Sequence, residues 1–346
     1  MKRIYWIDAA RAIAILMVVL THCHEQMEID SILFKSVLYS IDRIGVPIFL
    51  MISGGLVLPG LESKPAISFY KKRIPQFLFL ILFYTTLTNV VGMVFVEGKG
   101  VVESALYSIE NLNGLFPSKS GYASHMWFMY TITGLYIIAP YLAKMLSACS
   151  TKSIIGFVAI CLLFNYIPFF FNEFSPSIDT GIIKRIGSEF TGGYLVYMIV
   201  GYLIINRGVL DKYKTLTGIV MCISAIAIGC IVMGMEDVSR GKVLNTYHWY
   251  SASIFIFIMS IATAALFKWL LDRKENRVLV SISKFSFGIY LLHYAVLLAI
   301  KPTLQSHVDT MPTYIYLMIL FSAVTVISYL LVRIISAIPF GKYLTQ

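Results

Sequence analysis

Residues Arg11–Glu25 read RAIAILMVVLTHCHE. An arginine precedes nine unbroken apolar residues, Ala12–Leu20, and His22 and His24 close the stretch. On an α-helix each residue turns by about 100°, so positions eleven apart return to nearly the same face. Asp8, Arg11, Ile15, Val18 and His22 then share one stripe, whereas His24 and Glu25 are expected off it. Arg11 and His22 stand about 16 Å apart along the axis, roughly three turns. Ionisable groups inside an apolar span are costly and normally face a bundle interior or a wet cavity. The stripe is therefore expected to line such a cavity.

Two readings of each charged position stand side by side. Asp8 and Arg11 are three apart and can pair, forming either a neutralised anchor or part of a site. His22 is either an interfacial histidine or a group that exchanges a proton near neutral pH. A metal at His22 and His24 is not expected, because i and i+2 on a helix point apart.

Composition settles the solvent. Apolar residues make up 58% of the chain and charged ones 13%, about half the charged share of ordinary soluble domains. Mean hydropathy is +0.79. Backbone in a bilayer must satisfy its own hydrogen bonds, so spans are helices or a closed barrel. The apolar runs are continuous rather than alternating, which selects helices. The expected fold is all-α, a polytopic membrane bundle forming a single integral-membrane domain over 1–346. About ten spans are expected, at 4–22, 44–58, 74–96, 125–143, 153–171, 190–206, 215–235, 250–271, 285–301 and 314–338. The first is read as retained rather than cleaved, because Arg11 interrupts the run and no small-x-small site follows.

The net charge of +10 raises the question of nucleic acid, and its distribution answers it. Eighteen Lys and Arg fall in alternate connections beginning with the N-terminus and nine in the others, with Arg11 inside a span. This bias expects both termini in the cytoplasm and no nucleic-acid partner. The five cysteines, at 23, 149, 161, 222 and 230, are scattered and odd in number, which disfavours a disulfide framework. The longest connection, 97–124, is expected to be polar and outside. ILFKSVLYSIDRI before the second span carries apolar residues at 33, 37, 41 and 44 and reads as an amphipathic interfacial helix. No repeat relates the two halves, which weakens an inverted-repeat transporter.

Several stretches resemble one family. IYWIDAARAIAILMVVLTH (4–22) resembles the first helix of membrane acyltransferase family 3, with its arginine and histidine separated by ten residues. RIGVPIFLMISGGLVL (43–58) resembles that family's second helix, FYKKRIPQFLFLILFY (69–84) its basic approach to the third, HMWFMYTITGLYIIAPYL (125–142) its His-x-Trp-Phe span, and SFGIYLLHYAVL (286–297) its Ser-x-Gly-x-Tyr-x-x-His span. The matches run in order along most of the chain. Leu50, Gly55 and Met126 depart from the family's usual residues, and none of these changes removes an ionisable group.

The resemblance implies roughly ten helices in a bacterial inner membrane and an acyl-CoA donor, acetyl-CoA for an acetyltransferase, with no permanently bound cofactor. The acceptor it implies is a hydroxyl of a cell-surface or lipid-linked glycan, with membrane lipid as the third partner. His22 would take the hydroxyl proton or carry the acyl group, and Arg11 would position the donor or the histidine. Lys71, Lys72 and Arg73 are available for the donor's phosphates, although topology alone also explains them. His125 opens its span at the level of His22 and is either a site residue or an interfacial one; Trp127 reads as an interfacial anchor. Tyr290 and His293, three apart and in mid-span, are candidates for the site or its support. Arg43 is a candidate contact for the acceptor or the oxyanion. Ser53 and Gly54 are expected to allow close helix approach. Buried charges and broken helices also suit a glycan transporter or flippase without acyl transfer, and a non-catalytic assembly protein is a third possibility.

Overall fold

The computed structural model describes residues 4–110, 112–113, 116–117, 121–174, 180, 183, 193–239, 253–272, 275–305 and 311–345. Lys2, Arg3, Lys119, Lys184, Arg185, Arg240, Lys242, Arg273 and Lys274, counted above for sidedness, lie outside the described residues, as do the starts of the expected spans at 190–192 and 250–252. The chain is helical: α1 (Tyr5–Glu25), α2 (Ile32–Asp42), α3 (Gly45–Val57), α4 (Ala66–Phe95), α5 (Val101–Glu110), a 3-10 turn (Ser124–Met126), α6 (Trp127–Ala148), α7 (Thr151–Asn165), α8 (Ile167–Phe174), α9 (Gly193–Asn206), α10 (Lys214–Ser239), α11 (Ile254–Leu271), α12 (Arg277–Gln305), α13 (Thr313–Ala337) and α14 (Gly341–Thr345). Serines open three of them: Ser31, Ser150 and Ser253 accept from the backbone N–H of Phe34, Ser153 and Ile256, satisfying donors that a helix start leaves bare.

Among the described residues, nine helical stretches are long and apolar enough to cross a membrane. Of the expected span at 190–206, Gly193–Asn206 is described as an apolar helix, α9, with eleven of its residues buried. The segment before the second span is a separate amphipathic helix, α2, joined to α3 by a right-handed turn at Arg43 and Ile44, and Ile32–Val57 together is a 26-residue apolar stretch. Leu33, Val37 and Ile41 are exposed, while Ser36, Ser40 and Asp42 are buried. The connection 97–124 contains a helix, α5, and a two-residue antiparallel ladder pairing Leu112–Asn113 with Phe116–Pro117. None of the five cysteines is in a disulfide.

The chain divides into two compact units. The first comprises Met1–Thr21, Ile29–Ala66 and Ile138–Val280. Its tightest crossing is between α3 and α9. A Cβ on Gly54 would lie 1.9 Å from the carbonyl oxygen of Met198, and one on Gly201 would lie 1.9 Å from that of Met51. Reciprocal glycines let two backbones touch where no side chain fits, the small-residue contact used between membrane helices. Gly45 likewise brings the start of α3 against α1, where a Cβ would lie 2.8 Å from the Ala14 carbonyl oxygen. Lys268 of α11 closes the loop after α9, donating to both carboxylate oxygens of Asp211 at 2.6 and 2.9 Å and to the Ile204 carbonyl at 2.9 Å.

The second unit comprises His22–Glu28, Ile67–Ile137 and Ser281–Gln346. Here the C-terminal helix is tied to α4: Gln76 donates to the Tyr343 carbonyl at 3.3 Å and Tyr84 to the Leu344 carbonyl at 3.0 Å. Gly92 gives room for the Tyr122 ring, 2.3 Å from where a Cβ would stand.

The α3–α9 crossing makes a direct prediction. Gly201→Ala forces a methyl into a backbone carbonyl and should destabilise the protein by about 1–3 kcal/mol or more. Gly156→Ala, in α7, where a Cβ meets nothing within 4 Å, should leave the melting temperature unchanged or raise it slightly. Thermal unfolding of the two variants in detergent checks the difference.

Candidate active site

Three helical segments of the second unit deliver imidazoles to one place. His22 comes from the last turn of α1, His125 from the 3-10 turn before α6, and His293 from the middle of α12. The ring centroids of His22 and His293 are 5.3 Å apart, those of His125 and His293 5.4 Å, and those of His22 and His125 6.5 Å. Tyr294 completes the group. Its ring stacks on His125 at 4.8 Å with planes 12° apart, and meets His22 edge-on at 5.2 Å.

Each ring is held by a different device. His293 is fully buried. Its Nδ1 lies 2.6 Å from the Tyr290 carbonyl and 3.1 Å from the Ile289 carbonyl. Carbonyl oxygens only accept, so the Nδ1 carries the proton and donates it, and the neutral ring keeps its lone pair on Nε2. That Nε2 is buried and has no hydrogen-bond partner among the described residues. Tyr290 donates to the backbone carbonyl of His125 at 2.8 Å and so fastens the turn carrying His125 to α12. Both ring nitrogens of His125 are buried without a hydrogen bond among the described residues. Burying an imidazole nitrogen without a partner costs free energy.

His22 is the accessible member, with 19% of its side chain exposed. Its Nδ1 lies 3.6 Å from Glu25 Oε2, too far for a hydrogen bond but within ion-pair reach when the imidazole is charged. Glu25 was expected off the stripe. Three residues apart on a helix is a neighbouring position, and the long glutamate side chain closes the remaining angle.

The loop leading to His125 is fixed to α4 and to the residues that follow it. The Asn89 side chain accepts from the Tyr122 backbone N–H at 2.7 Å, and the Tyr122 hydroxyl donates to Glu97 at 2.8 Å. Lys99 pairs with the same carboxylate at 2.8 Å. The hydrogen bonds from Lys99 and Tyr122 hold the Glu97 carboxyl below its ordinary pKa, and Glu97 in turn raises that of Lys99.

The remaining candidates lie elsewhere. Asp8 and Arg11, both half-buried, belong to the first half of α1 and to the first unit, with Ile15 and Val18 of the same stripe fully buried. Arg43, also in the first unit, is buried. Its guanidinium lies 4.5 Å above the Tyr39 ring and its Nε 3.7 Å from Asp42 Oδ1, while Asp42 Oδ2 accepts from Thr21 at 2.8 Å. Lys71 and Lys72 are exposed at the start of α4, and Arg73 donates to Gln76 at 3.3 Å. Reading the sequence missed Tyr294, Gln26 and Lys301. Tyr294 carried a signal, since it sits one helical turn after Tyr290 and beside His293 on α12. Gln26 and Lys301 carried none, because only the tertiary fold brings them to Tyr294.

Nine apolar helical stretches of spanning length among the described residues, three of them carrying the histidine cluster, define a multi-pass membrane protein with a buried polar cluster. The family can be named more closely. A family model for an acyltransferase domain, that of acyltransferase family 3, matches residues 4–333, nearly the whole chain, and the protein belongs to that family of membrane acyltransferases. No curated protein and no solved structure matches the chain.

Proposed function

We propose that the protein is an O-acyltransferase of a bacterial inner membrane, with both termini in the cytoplasm and one functional domain over 1–346. It moves an acetyl or other short acyl group from cytoplasmic acyl-CoA to a hydroxyl of a cell-surface or lipid-linked glycan. The observation that carries this reading is the cluster of His22, His125 and His293, two of them with bare buried nitrogens. The acceptor class rests on resemblance alone: the quoted stretches resemble the enterobacterial common antigen O-acetyltransferase.

A sugar hydroxyl is a poor nucleophile until its proton leaves. His22, the accessible imidazole, takes that proton as the hydroxyl oxygen attacks the thioester carbonyl. The tetrahedral adduct collapses with cleavage of the C–S bond, and the leaving thiolate accepts the proton from the imidazolium. Atoms and charge balance with a single base. Glu25, within ion-pair distance of His22, stabilises the imidazolium formed in between. His125 and Tyr290 support the cluster. Arg11, about three turns away on the same helix, positions the donor, and Lys71, Lys72 and Arg73 attract its phosphates. Asp8 orients Arg11, and Arg43 contacts the acceptor.

Radiolabelled acetyl-CoA tests the reading. Membranes carrying the wild-type protein should move label into envelope glycan, and His22→Ala should lower the rate by about 10²–10⁴-fold, the range for loss of a general base, at equal protein level. Glycan movement by the His22→Ala protein, with no acyl transfer by wild type, identifies a transporter instead. Unchanged phenotypes in His22→Ala and Arg11→Ala strains identify a non-catalytic assembly protein.

The base role also has a pH signature. Only the neutral imidazole accepts a proton, so activity should be full on the alkaline side and fall on the acidic side. A pH–rate profile over about 5 to 8 checks this, and a flat profile removes His22 as the base.

A further inference from the structure

The second unit contains a hydrogen-bond chain that the acyl-transfer step above does not use. Lys301, near the end of α12, donates to Gln26 Oε1 at 3.4 Å, and Gln26 Nε2 donates to the Tyr294 hydroxyl at 3.1 Å. The direction of the chain follows from chemistry. An ammonium only donates, so the amide oxygen of Gln26 must face Lys301 and its NH₂ must face Tyr294. The phenol oxygen is thereby an acceptor, and its own O–H remains to be given away. That proton has no acceptor among the described residues. The chain starts at a cation and passes donors in one direction, so each bond polarises the next and the terminal phenol becomes a stronger donor.

Tyr294 is also held still. It is buried, its ring is stacked on His125 and set edge-on to His22, and Gln26 follows His22 by one helical turn along the chain. An immobile, polarised O–H beside the imidazole that meets the substrate has the features of a donor preorganised for negative charge that develops only during the reaction.

We infer that Tyr294 is the oxyanion donor of this enzyme, with Gln26 and Lys301 as positioning residues that aim and polarise its hydroxyl. The inference rests on the acyl-transfer reading. When the acceptor oxygen attacks the thioester carbon, the carbonyl π pair moves to the carbonyl oxygen. The Tyr294 O–H hydrogen-bonds to that O⁻ without transferring its proton. The pair returns as the C–S bond breaks, and the thiolate takes its proton from His22. No further reactant is needed.

Tyr294→Phe removes one oxygen and leaves the ring stack in place. With radiolabelled acetyl-CoA as donor and envelope glycan as acceptor, kcat should fall about 10²–10³-fold, the loss seen when one oxyanion donor is removed. KM for acetyl-CoA should stay within about threefold, because the interaction exists only in the transition state. The melting temperature and the acid limb of the pH profile should not move, since His22 is untouched. Gln26→Leu should lower kcat in the same sense, and the Gln26→Leu/Tyr294→Phe double variant should be no slower than Tyr294→Phe alone. A kcat for Tyr294→Phe within about tenfold of wild type, a loss confined to KM, or additive losses in the double variant overturns the assignment. Absence of any acyl transfer by wild type is a different result, and it removes the proposed reaction rather than the role of Tyr294 within it.

Discussion

Imidazoles in a membrane-spanning bundle have to be held by the protein, because little water is present to satisfy them. The hydrogen bond from His293 Nδ1 to carbonyls of its own helix is the interaction on which the cluster depends. It fixes the tautomer, leaves Nε2 bare, and sets a rigid ring against which His22 and His125 are placed. Tyr290, one turn earlier, extends the same scaffold by holding the His125 backbone. One helix therefore supports the cluster through two side chains three residues apart, and the accessible imidazole of α1 meets a surface that is already formed.

The first unit solves a different packing problem with a different device. Lipid tails are as apolar as the helix surfaces, so burial of apolar area does little to drive helices together in a membrane, and close backbone contact matters more. Gly54 and Gly201 provide that contact, each placed against a carbonyl on the opposite helix. The buried helix α9 is seated by this crossing, and the Lys268–Asp211 pair then secures the loop that follows it.

What could be read from the chain alone divides along the range of the interaction. The helical character of the spans, the shared face of Arg11 and His22, and the small-residue contact at Gly54 all follow from spacing within a single segment. His125, Tyr290 and His293 were recognisable as ionisable or polar groups in costly places, but their meeting with His22 depends on contacts between helices. Glu25 sits off the stripe, yet its long side chain reaches to 3.6 Å from the His22 ring, a contact that the helical angle alone does not show. The helix at 32–42 and the second span are separate helices joined by a turn at Arg43 and Ile44, and Pro47 falls in the first turn of α3, where its missing N–H costs least. The Lys301–Gln26–Tyr294 chain joins residues more than 260 positions apart and has no local signature.

The central proposal is that His22 is the base of acyl transfer and that the buried His293 ring positions it. A double-mutant cycle on the transfer rate tests it most directly. Groups that act together lose most of their effect with the first substitution. The account predicts that His22→Ala and the His22→Ala/His293→Ala double variant are equally slow, with His293→Ala alone impaired by at least about tenfold. Multiplicative losses, or a His293→Ala enzyme as fast as wild type, would contradict it.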